Sequence, residues 1–272
     1  MYKEFYHLKE NPFSITADPE FFFSSSQHKE AITHLIYGIQ QRKGIITITG
    51  EIGTGKTTLC RTILSQLDES IKTALILNPS FSDLQLLRLI LQDLGIKSKA
   101  RNKYEMISAL NEFLLVQTNA GNNVVLIIDE AQNLNVNQLE QIRLLSNLET
   151  EKEKLLQIVL VGQPELIEKL KLNSLRQLNQ RIAVRYHILS LSQDEMKDYV
   201  NYRLNIANIS KSAEHIIQFT EEALKSIYDI SGGTPRMINI ICDRALLAGY
   251  AAETFTIDQN IIHRCSREVG QK

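Results

Sequence analysis

The sequence predicts an α/β fold in which a parallel β-sheet is covered by helices, and three observations support this fold class. Short runs of apolar and β-branched residues, typical of buried strands, alternate with longer segments of helical periodicity. One run, Val124–Ile128, is continuously apolar, so both faces of that strand must be covered. A glycine-rich loop at residues 50–55 separates a predicted strand from a predicted helix.

Each element has its own signal in the sequence. Strands are predicted at 45–49, 72–77, 124–128 and 157–161, and a fifth strand ends at 188–189. Helical spacing of apolar residues predicts helices at 27–41, 59–67, 82–94, 103–118, 136–148 and 175–179. From Leu191 onward only helices are predicted, at 195–207, 219–230, 235–252 and 258–266. Ser192 and Glu195 have the spacing of a capping box.

The loop fits the pattern of a phosphate-binding loop, with Gly50, four residues, and then Gly55, Lys56 and Thr57. Its glycines let several backbone N–H groups face one point, and the following helix N-terminus adds a partial positive charge. Lys56 is predicted to reach the β- and γ-phosphates, and the Thr57 hydroxyl to bind Mg²⁺. The alternative is an ordinary glycine turn with a surface lysine. The predicted nucleotide contacts are Gly50, Glu51, Ile52, Gly53, Thr54, Gly55, Lys56, Thr57 and Thr58.

Composition excludes several classes of protein. The net charge of −1 gives no global attraction to nucleic acid or anionic lipid, although local basic patches remain compatible with it. The N-terminus lacks the apolar core of a signal peptide, and no apolar run approaches the roughly 20 residues of a membrane span. The cysteines are far apart and are predicted to be small buried residues in a reducing compartment. We therefore expect a cytoplasmic segment that does not insert into a membrane.

Residues 1–26 form an irregular segment that is rich in aromatic side chains and is interrupted by prolines. Two interpretations are open. The aromatic side chains pack over the core as a strap, or part of the segment forms the wall of an adenine pocket.

Two carboxylates, Asp129 and Glu130, follow the apolar strand Val124–Ile128 directly. Open α/β sheets place their ligands at the carboxyl ends of strands. With a phosphate loop upstream, Asp129 is the expected partner of Mg²⁺, and Glu130 is placed to orient or deprotonate the attacking water. The alternative is a solvated strand end that happens to be acidic.

Gln163 follows the predicted strand at 157–161. Its amide is predicted to hold the attacking water near the γ-phosphate. The alternative is a turn amide that caps the helix beginning near Pro164.

Between residues 176 and 187, three arginines and one histidine each have more than one interpretation. Arg176, Arg181 and Arg185 are candidates for an arginine supplied to the nucleotide of a neighbouring subunit, and the alternative for each is a surface salt bridge. His187 is predicted to be a packed or surface strand residue because no cluster of metal ligands surrounds it.

Arg236 lies in the first turn of a predicted helix, with Thr234 as N-cap and Pro235 at the first helical position. A cation there opposes the helix dipole, so a contact with phosphate is a reason for its presence. The alternative is a salt bridge to a nearby acid.

The order of these motifs resembles that of AAA+ ATPases, and more specifically the ExeA/GspA family of secretion-system ATPases. The matching pieces run over nearly the whole chain. They are Tyr6-His7-Leu8 with Asn11-Pro12-Phe13, Asp18-Pro19, His28 with Glu30-Ala31, Gly50 to Thr58, Asp129-Glu130-Ala131-Gln132, Gly162-Gln163-Pro164-Glu165-Leu166, Gln180-Arg181-Ile182, and Gly233, Pro235-Arg236 and Ile238-Asn239.

The resemblance implies a P-loop NTPase (AAA+) fold with a parallel five-stranded sheet in 5-1-4-3-2 order, followed by a small all-helical lid domain. The implied division is an N-terminal aromatic strap at 1–26, a nucleotide-binding domain at 27–190 and the lid at 191–272. It also implies ATP hydrolysis with Mg²⁺ at the interface of a nucleotide-dependent homo-oligomer. Arg181 then faces the nucleotide of the neighbouring subunit.

Family members assist assembly of the type II secretin, the outer-membrane ring, through the cell wall. We therefore expect a motor or switch for a secretion or pilus complex, with an inner-membrane assembly protein as partner. Longer members continue into a membrane span and a peptidoglycan-binding domain, so this sequence is either the cytoplasmic portion of such a chain or a short relative. A DNA-associated ATPase that assists transposition is the alternative, and a nucleotide-dependent scaffold is a third hypothesis.

Overall fold

The computed structural model describes residues 1–79, 81–209 and 216–269, with side chains described as far as residue 266. The central sheet has five parallel strands, which confirms the predicted number and direction. These strands are β1 (Ile45–Gly50), β2 (Ile71–Ile76), β3 (Asn123–Ile128), β4 (Gln157–Gly162) and β5 (Ile182–Ile188). Their spatial order is β2-β3-β4-β1-β5, which reads 5-1-4-3-2 from the opposite edge.

From Ser26 onward, helices occupy the predicted segments with small differences at their ends, whereas the short helix α1 lies within residues 1–26, which were predicted to be irregular. They are α1 (Tyr2–Phe5), α2 (Ser26–Gln40), α3 (Lys56–Gln66), α4 (Asp83–Asp93), α5 (Lys103–Asn119), α6 (Val136–Leu145), α7 (Pro164–Leu170), α8 (Arg176–Arg181), α9 (Gln193–Ala207), α10 (Glu221–Ser231), α11 (Pro235–Ala251) and α12 (Gln259–Val269). No helix in these described ranges is both long enough and apolar enough to cross a bilayer.

The register of the sheet determines which loops lie together. Thr49 of β1 pairs with Gly162 of β4, and Ile128 of β3 pairs with Leu160 of β4. Because all of these strands are parallel, the carboxyl ends of β3, β4 and β1 lie side by side at one edge of the sheet. Every residue of these three strands is buried, as predicted for strands covered on both faces.

The chain divides into two compact units. One comprises residues 26–51 and 59–188 and contains the sheet. The other comprises residues 1–25, residues 52–58 and the chain from Leu189 onward.

The N-terminal segment packs into the core of the second unit. Tyr6, Phe13 and Phe21 are buried among the apolar side chains of the C-terminal helices. Arg203 is also buried, and it donates hydrogen bonds to the carbonyl oxygens of Pro12 and Ser14, the latter at 3.0 Å. A buried guanidinium that binds two backbone carbonyls fixes the segment to α9.

The C-terminal segment is not purely helical, so one detail of the expected lid is wrong. Two short strands, β6 (Gln218–Phe219) and β7 (Thr256–Ile257), pair in parallel. This pairing delays the start of α10 to Glu221, where the Thr220 side chain accepts a hydrogen bond from the Ala223 N–H at 3.1 Å. Strands of two residues are too short to show a periodicity in the sequence.

The three cysteines, Cys60, Cys242 and Cys265, are buried and form no disulfide. Burial is the largest cause that raises the pKa of the Cys242 thiol well above its usual range, so this thiol stays protonated. The prediction of small buried residues is confirmed for all three.

Candidate nucleotide-binding site

The phosphate loop leaves β1 at Gly50 and enters α3 at Lys56. The strand and the helix that the motif requires therefore flank it. Thr54 and Lys56 are only 1% and 6% exposed. Lys56 begins α3, and because a helix N-terminus itself attracts anions, its ammonium group is placed to bind a negatively charged ligand.

Gly53 is required both by its backbone conformation and by a close contact. Its φ of +84° lies in the left-handed region. A Cβ atom at this position would lie 2.5 Å from the Cβ of Arg236 and 3.2 Å from the Cγ2 of Thr234. The Arg236 N–H donates a hydrogen bond to the Gly53 carbonyl oxygen at 3.2 Å. The loop and the N-terminus of α11 are therefore in direct contact, which the sequence did not indicate.

The Arg236 side chain is exposed, and it forms no ion pair with any residue that the structure describes. The salt bridge considered as the alternative is therefore absent from that part of the chain. Thr234 occupies the N-cap position and Pro235 follows it, but the Thr234 side chain does not cap the helix. Its hydroxyl lies 3.4 Å from the Ser190 hydroxyl instead, so the predicted N-cap position is confirmed but the side chain makes no capping hydrogen bond.

The acidic pair lies at the end of β3, at the same edge of the sheet as Gly50. Asp129 is 2% exposed, and its carboxylate accepts a hydrogen bond from the Glu130 N–H at 2.8 Å. Glu130 has φ 53° and ψ 37°, a left-handed conformation that is uncommon for a residue with a side chain. Such conformations cost of order 1–3 kcal/mol and cluster at functional sites.

Two amide side chains converge on the Glu130 carboxylate. The Gln163 Nε2 donates to Glu130 Oε2 at 3.1 Å, and the Gln132 Nε2 donates to the same oxygen. Gln163 occupies the N-cap position of α7, but its side chain makes no capping hydrogen bond. The alternative interpretation of Gln163 as a capping amide therefore fails, because its amide binds the acid instead.

Gln132 connects this cluster to the rest of the sheet edge, and it is not among the site residues predicted from the sequence. Its Oε1 accepts a hydrogen bond from the Gln163 N–H at 3.0 Å. Its backbone carbonyl and that of Leu134 accept hydrogen bonds from the Lys169 Nζ at 2.5 and 2.8 Å. Its position two residues after Glu130 was the available signal. Nothing in the sequence pointed to Lys169, because it approaches from the far end of α7.

The three candidate arginines of α8 and β5 are exposed. Arg181 donates a hydrogen bond to the Asn147 side chain, and Arg185 donates to the Asn179 side chain at 2.8 Å. Within the described ranges, Arg176 makes no hydrogen bond or ion pair. None of the three forms a salt bridge there, and the choice among them stays a prediction. His187 is an exposed strand residue whose Nδ1 lies 3.0 Å from the Thr49 hydroxyl.

Comparisons with known proteins bear on the family resemblance. Residues 39–170 match the family described as AAA domain. The chain is 43% identical over 271 residues, 99% of its length, to general secretion pathway protein A of Aeromonas hydrophila. These two matches confirm the resemblance to AAA+ proteins and to general secretion pathway protein A. It spans 49% of the length of that curated relative.

Solved structures with the same fold have much lower sequence identity. The ADP form of the Aeropyrum pernix ORC2 protein is 15% identical, with a TM-score of 0.69, over 96% of this chain and 73% of that one. The Drosophila ORC bound to DNA is 18% identical, with the same TM-score, over 100% of this chain and 65% of that one. These structures support the P-loop NTPase fold of this chain.

Proposed function

We propose that this relative of general secretion pathway protein A hydrolyses ATP to ADP and phosphate with Mg²⁺. The observation that carries the proposal is the shared sheet edge. β1 delivers the phosphate loop at Gly50, and the adjacent strand β4 delivers Gln163. β3, on the other side of β4, delivers Glu130, whose carboxylate accepts a hydrogen bond from the Gln163 amide. Phosphate binding and a general base at the same edge of the sheet are the two requirements for hydrolysis.

The roles follow from the chemistry of each group. The loop N–H groups from Gly50 to Thr58 and the ammonium of Lys56 bind the phosphates, and Arg236 adds a second cation from the N-terminus of α11. Glu130 accepts a proton from the attacking water. Gln163, which already donates to that carboxylate, orients the same water through its amide.

The residues at the proposed nucleotide site fit an Mg²⁺ ion that is bound partly by phosphates better than they fit a metal ion that is bound by protein side chains alone. Among the described residues no three His, Cys, Asp or Glu side chains form a metal-binding group. Mg²⁺ takes one or two carboxylates together with substrate phosphates, and we propose the Thr57 hydroxyl and the Asp129 carboxylate as its protein donors. When bound, Mg²⁺ would neutralise part of the phosphate charge.

We further propose that hydrolysis requires self-association. Residues 27–190 would form the nucleotide-binding domain and residues 191–272 the lid, after the strap at 1–26. Arg181, exposed at the end of α8, would reach the nucleotide of a neighbouring subunit. An arginine supplied in this way adds positive charge to the transition state of phosphoryl transfer.

The cellular role is proposed from the relative. Because general secretion pathway protein A of Aeromonas hydrophila is 43% identical, the chain would act in the cytoplasm as a motor or switch for a secretion or pilus complex. Its partner would be an inner-membrane assembly protein. The alternative is DNA targeting, for which the fold shared with a DNA-bound ORC structure is the motivation.

The decisive experiment measures ATP binding by calorimetry and phosphate release for the wild type and for Lys56→Ala. The variant should lose binding or turnover because alanine cannot supply the ammonium charge. Equal nucleotide affinity in both proteins would contradict the proposal. A mobility-shift assay with duplex DNA, with and without ATP, then distinguishes the two cellular roles, since only the DNA-targeting role requires a nucleotide-dependent shift.

A further inference from the structure

A cavity of about 440 Å³ lies between α4 and α5, far along the sheet from the phosphate loop. Helix α4 packs against β2, the edge strand that β3 and β4 separate from β1. Three strand spacings amount to roughly 14 Å, so a ligand here would leave the nucleotide site open. The cavity is lined by Arg88, Leu91, Gln92, Gly95, Ile96, Lys97, Ser98, Ala100 and Met106.

The floor of the cavity is preformed by the way α4 ends. Gly95 has φ +73°, and its N–H donates to the Gln92 carbonyl at 3.0 Å. The Ile96 N–H donates to the Leu91 carbonyl at 2.8 Å. These two bonds are the Schellman motif, which brings the side chains of Ile96 and Leu91 together. With Met106, which is 1% exposed, they form a rigid apolar surface.

The rim of the cavity is basic. Between residues 88 and 103 the chain carries five cations, all exposed, and none of them forms an ion pair with a residue that the structure describes. Two of the five, Arg88 and Lys97, line the cavity itself. The five cations are Arg88, Lys97, Lys99, Arg101 and Lys103.

The nearby acids do not offset this charge inside the cavity. Asp93 accepts a hydrogen bond from the Leu75 N–H at 2.6 Å, and Glu105 accepts one from the Arg101 N–H at 2.8 Å. Both carboxylates are therefore engaged by the backbone, and neither lines the cavity. The surface around this cavity is therefore locally positive, although the net charge of the chain is −1.

We propose that this cavity binds an acidic segment of a partner protein, which places an apolar side chain on the floor and its carboxylates beside Arg88 and Lys97. The volume lies within the range of about 300–1,000 Å³ that is usual for ligand sites. Charge complementarity identifies the acidic partner, and the apolar floor supplies the anchor.

A peptide fits the lining better than the other anionic ligands. Nucleic acid would use the cations but would leave the apolar floor empty, and the lining has no aromatic side chain for a base to stack on. A lipid chain would bring hydrocarbon against the polar side chains of Gln92 and Ser98. A peptide backbone offers hydrogen-bond donors and acceptors to both.

The test is a selection of random short peptides displayed against the full chain, followed by affinity measurement with the selected labelled peptides. Arg88→Glu combined with Lys97→Glu reverses the positive charge of the cavity lining. Ala100→Leu fills part of the cavity but leaves that positive charge unchanged. The matched control reverses two exposed lysines elsewhere, Lys152→Glu with Lys225→Glu. Because none of these residues belongs to the proposed catalytic site, an unchanged rate of ATP hydrolysis shows that each variant is folded.

The proposal expects the wild type to enrich peptides in which acidic residues flank an apolar one. Both cavity variants should weaken these peptides by about tenfold or more, and the control should not. The proposal would be overturned if selection against the wild type enriched such acidic peptides no more than selection against Arg88→Glu combined with Lys97→Glu. Equal binding by Ala100→Leu, or equally effective competition by duplex DNA or by phosphatidylglycerol vesicles, would also overturn it.

Discussion

Replacement of Gly53 by alanine perturbs two properties of the phosphate loop, and a matched glycine separates them. Gly121 has φ +80°, close to the +84° of Gly53, but a Cβ atom there would meet nothing within 4 Å. Both substitutions put a side chain into the left-handed region, which costs roughly 1–2 kcal/mol. Only Gly53→Ala also places a Cβ atom 2.5 Å from the Cβ of Arg236.

The additional cost at Gly53 is that of overpacking, typically about 1–3 kcal/mol. If the loop moves away from Arg236 to avoid the contact, the loss appears in nucleotide affinity, by about 5- to 150-fold. Gly121→Ala should bind ATP with wild-type affinity. Its free energy of unfolding should still fall by the roughly 1–2 kcal/mol that a side chain costs in the left-handed backbone region. Each kcal/mol lowers Tm by roughly 2–4 °C in a chain of this size.

Calorimetric titration with ATP and Mg²⁺ measures the affinity, and thermal unfolding of the nucleotide-free protein measures the stability. If Gly53→Ala binds ATP as tightly as the wild type does, the contact between the loop and Arg236 does not support nucleotide binding. Equal loss of affinity in Gly53→Ala and Gly121→Ala would show that general destabilisation explains the effect.

Three further substitutions test the catalytic assignments. Glu130→Gln should keep ATP binding but lose about 10²- to 10⁴-fold in hydrolysis, because an amide cannot accept a proton; turnover at the wild-type rate would move the base elsewhere. Arg181→Ala should bind ATP but hydrolyse it roughly 10³- to 10⁵-fold more slowly. Mixing Arg181→Ala with Glu130→Gln should restore activity, since the pair can form one complete composite site; no rescue, together with an activity per subunit that is constant on dilution, would refute the role of Arg181. Gln132→Leu removes a hydrogen bond to a charged carboxylate, worth about 1.5–3 kcal/mol, so kcat should fall about 10- to 100-fold with KM nearly unchanged. Asn133→Leu at the neighbouring exposed position is its control, and a similar fall in that variant would assign the effect to local folding.

The sequence alone predicted the features that are local in the chain. The strand before Gly50 and the helix from Lys56 follow from β-branched residues and helical spacing over a few positions. The buried β3 follows from its continuous apolar run, and the position of Asp129 follows from the end of that run. These signals depend on residues that are adjacent in sequence, so they can be detected without any knowledge of the tertiary structure.

Tertiary structure decided the contacts between residues that are distant in sequence. The sequence is compatible with Gln163 as a capping amide or as a catalytic one. In the structure β4 lies beside β3, and the Gln163 amide therefore binds Glu130. Thr234 occupies the N-cap position that the sequence predicted, but its hydroxyl lies next to Ser190 and does not cap the helix. In the sequence Gly53 is one of several glycines of the motif. In the structure α11 comes so close to Gly53 that no side chain fits at this position. Periodicity and motif spacing report which residues share a face or a loop, whereas the partners of those residues depend on how separate elements pack together.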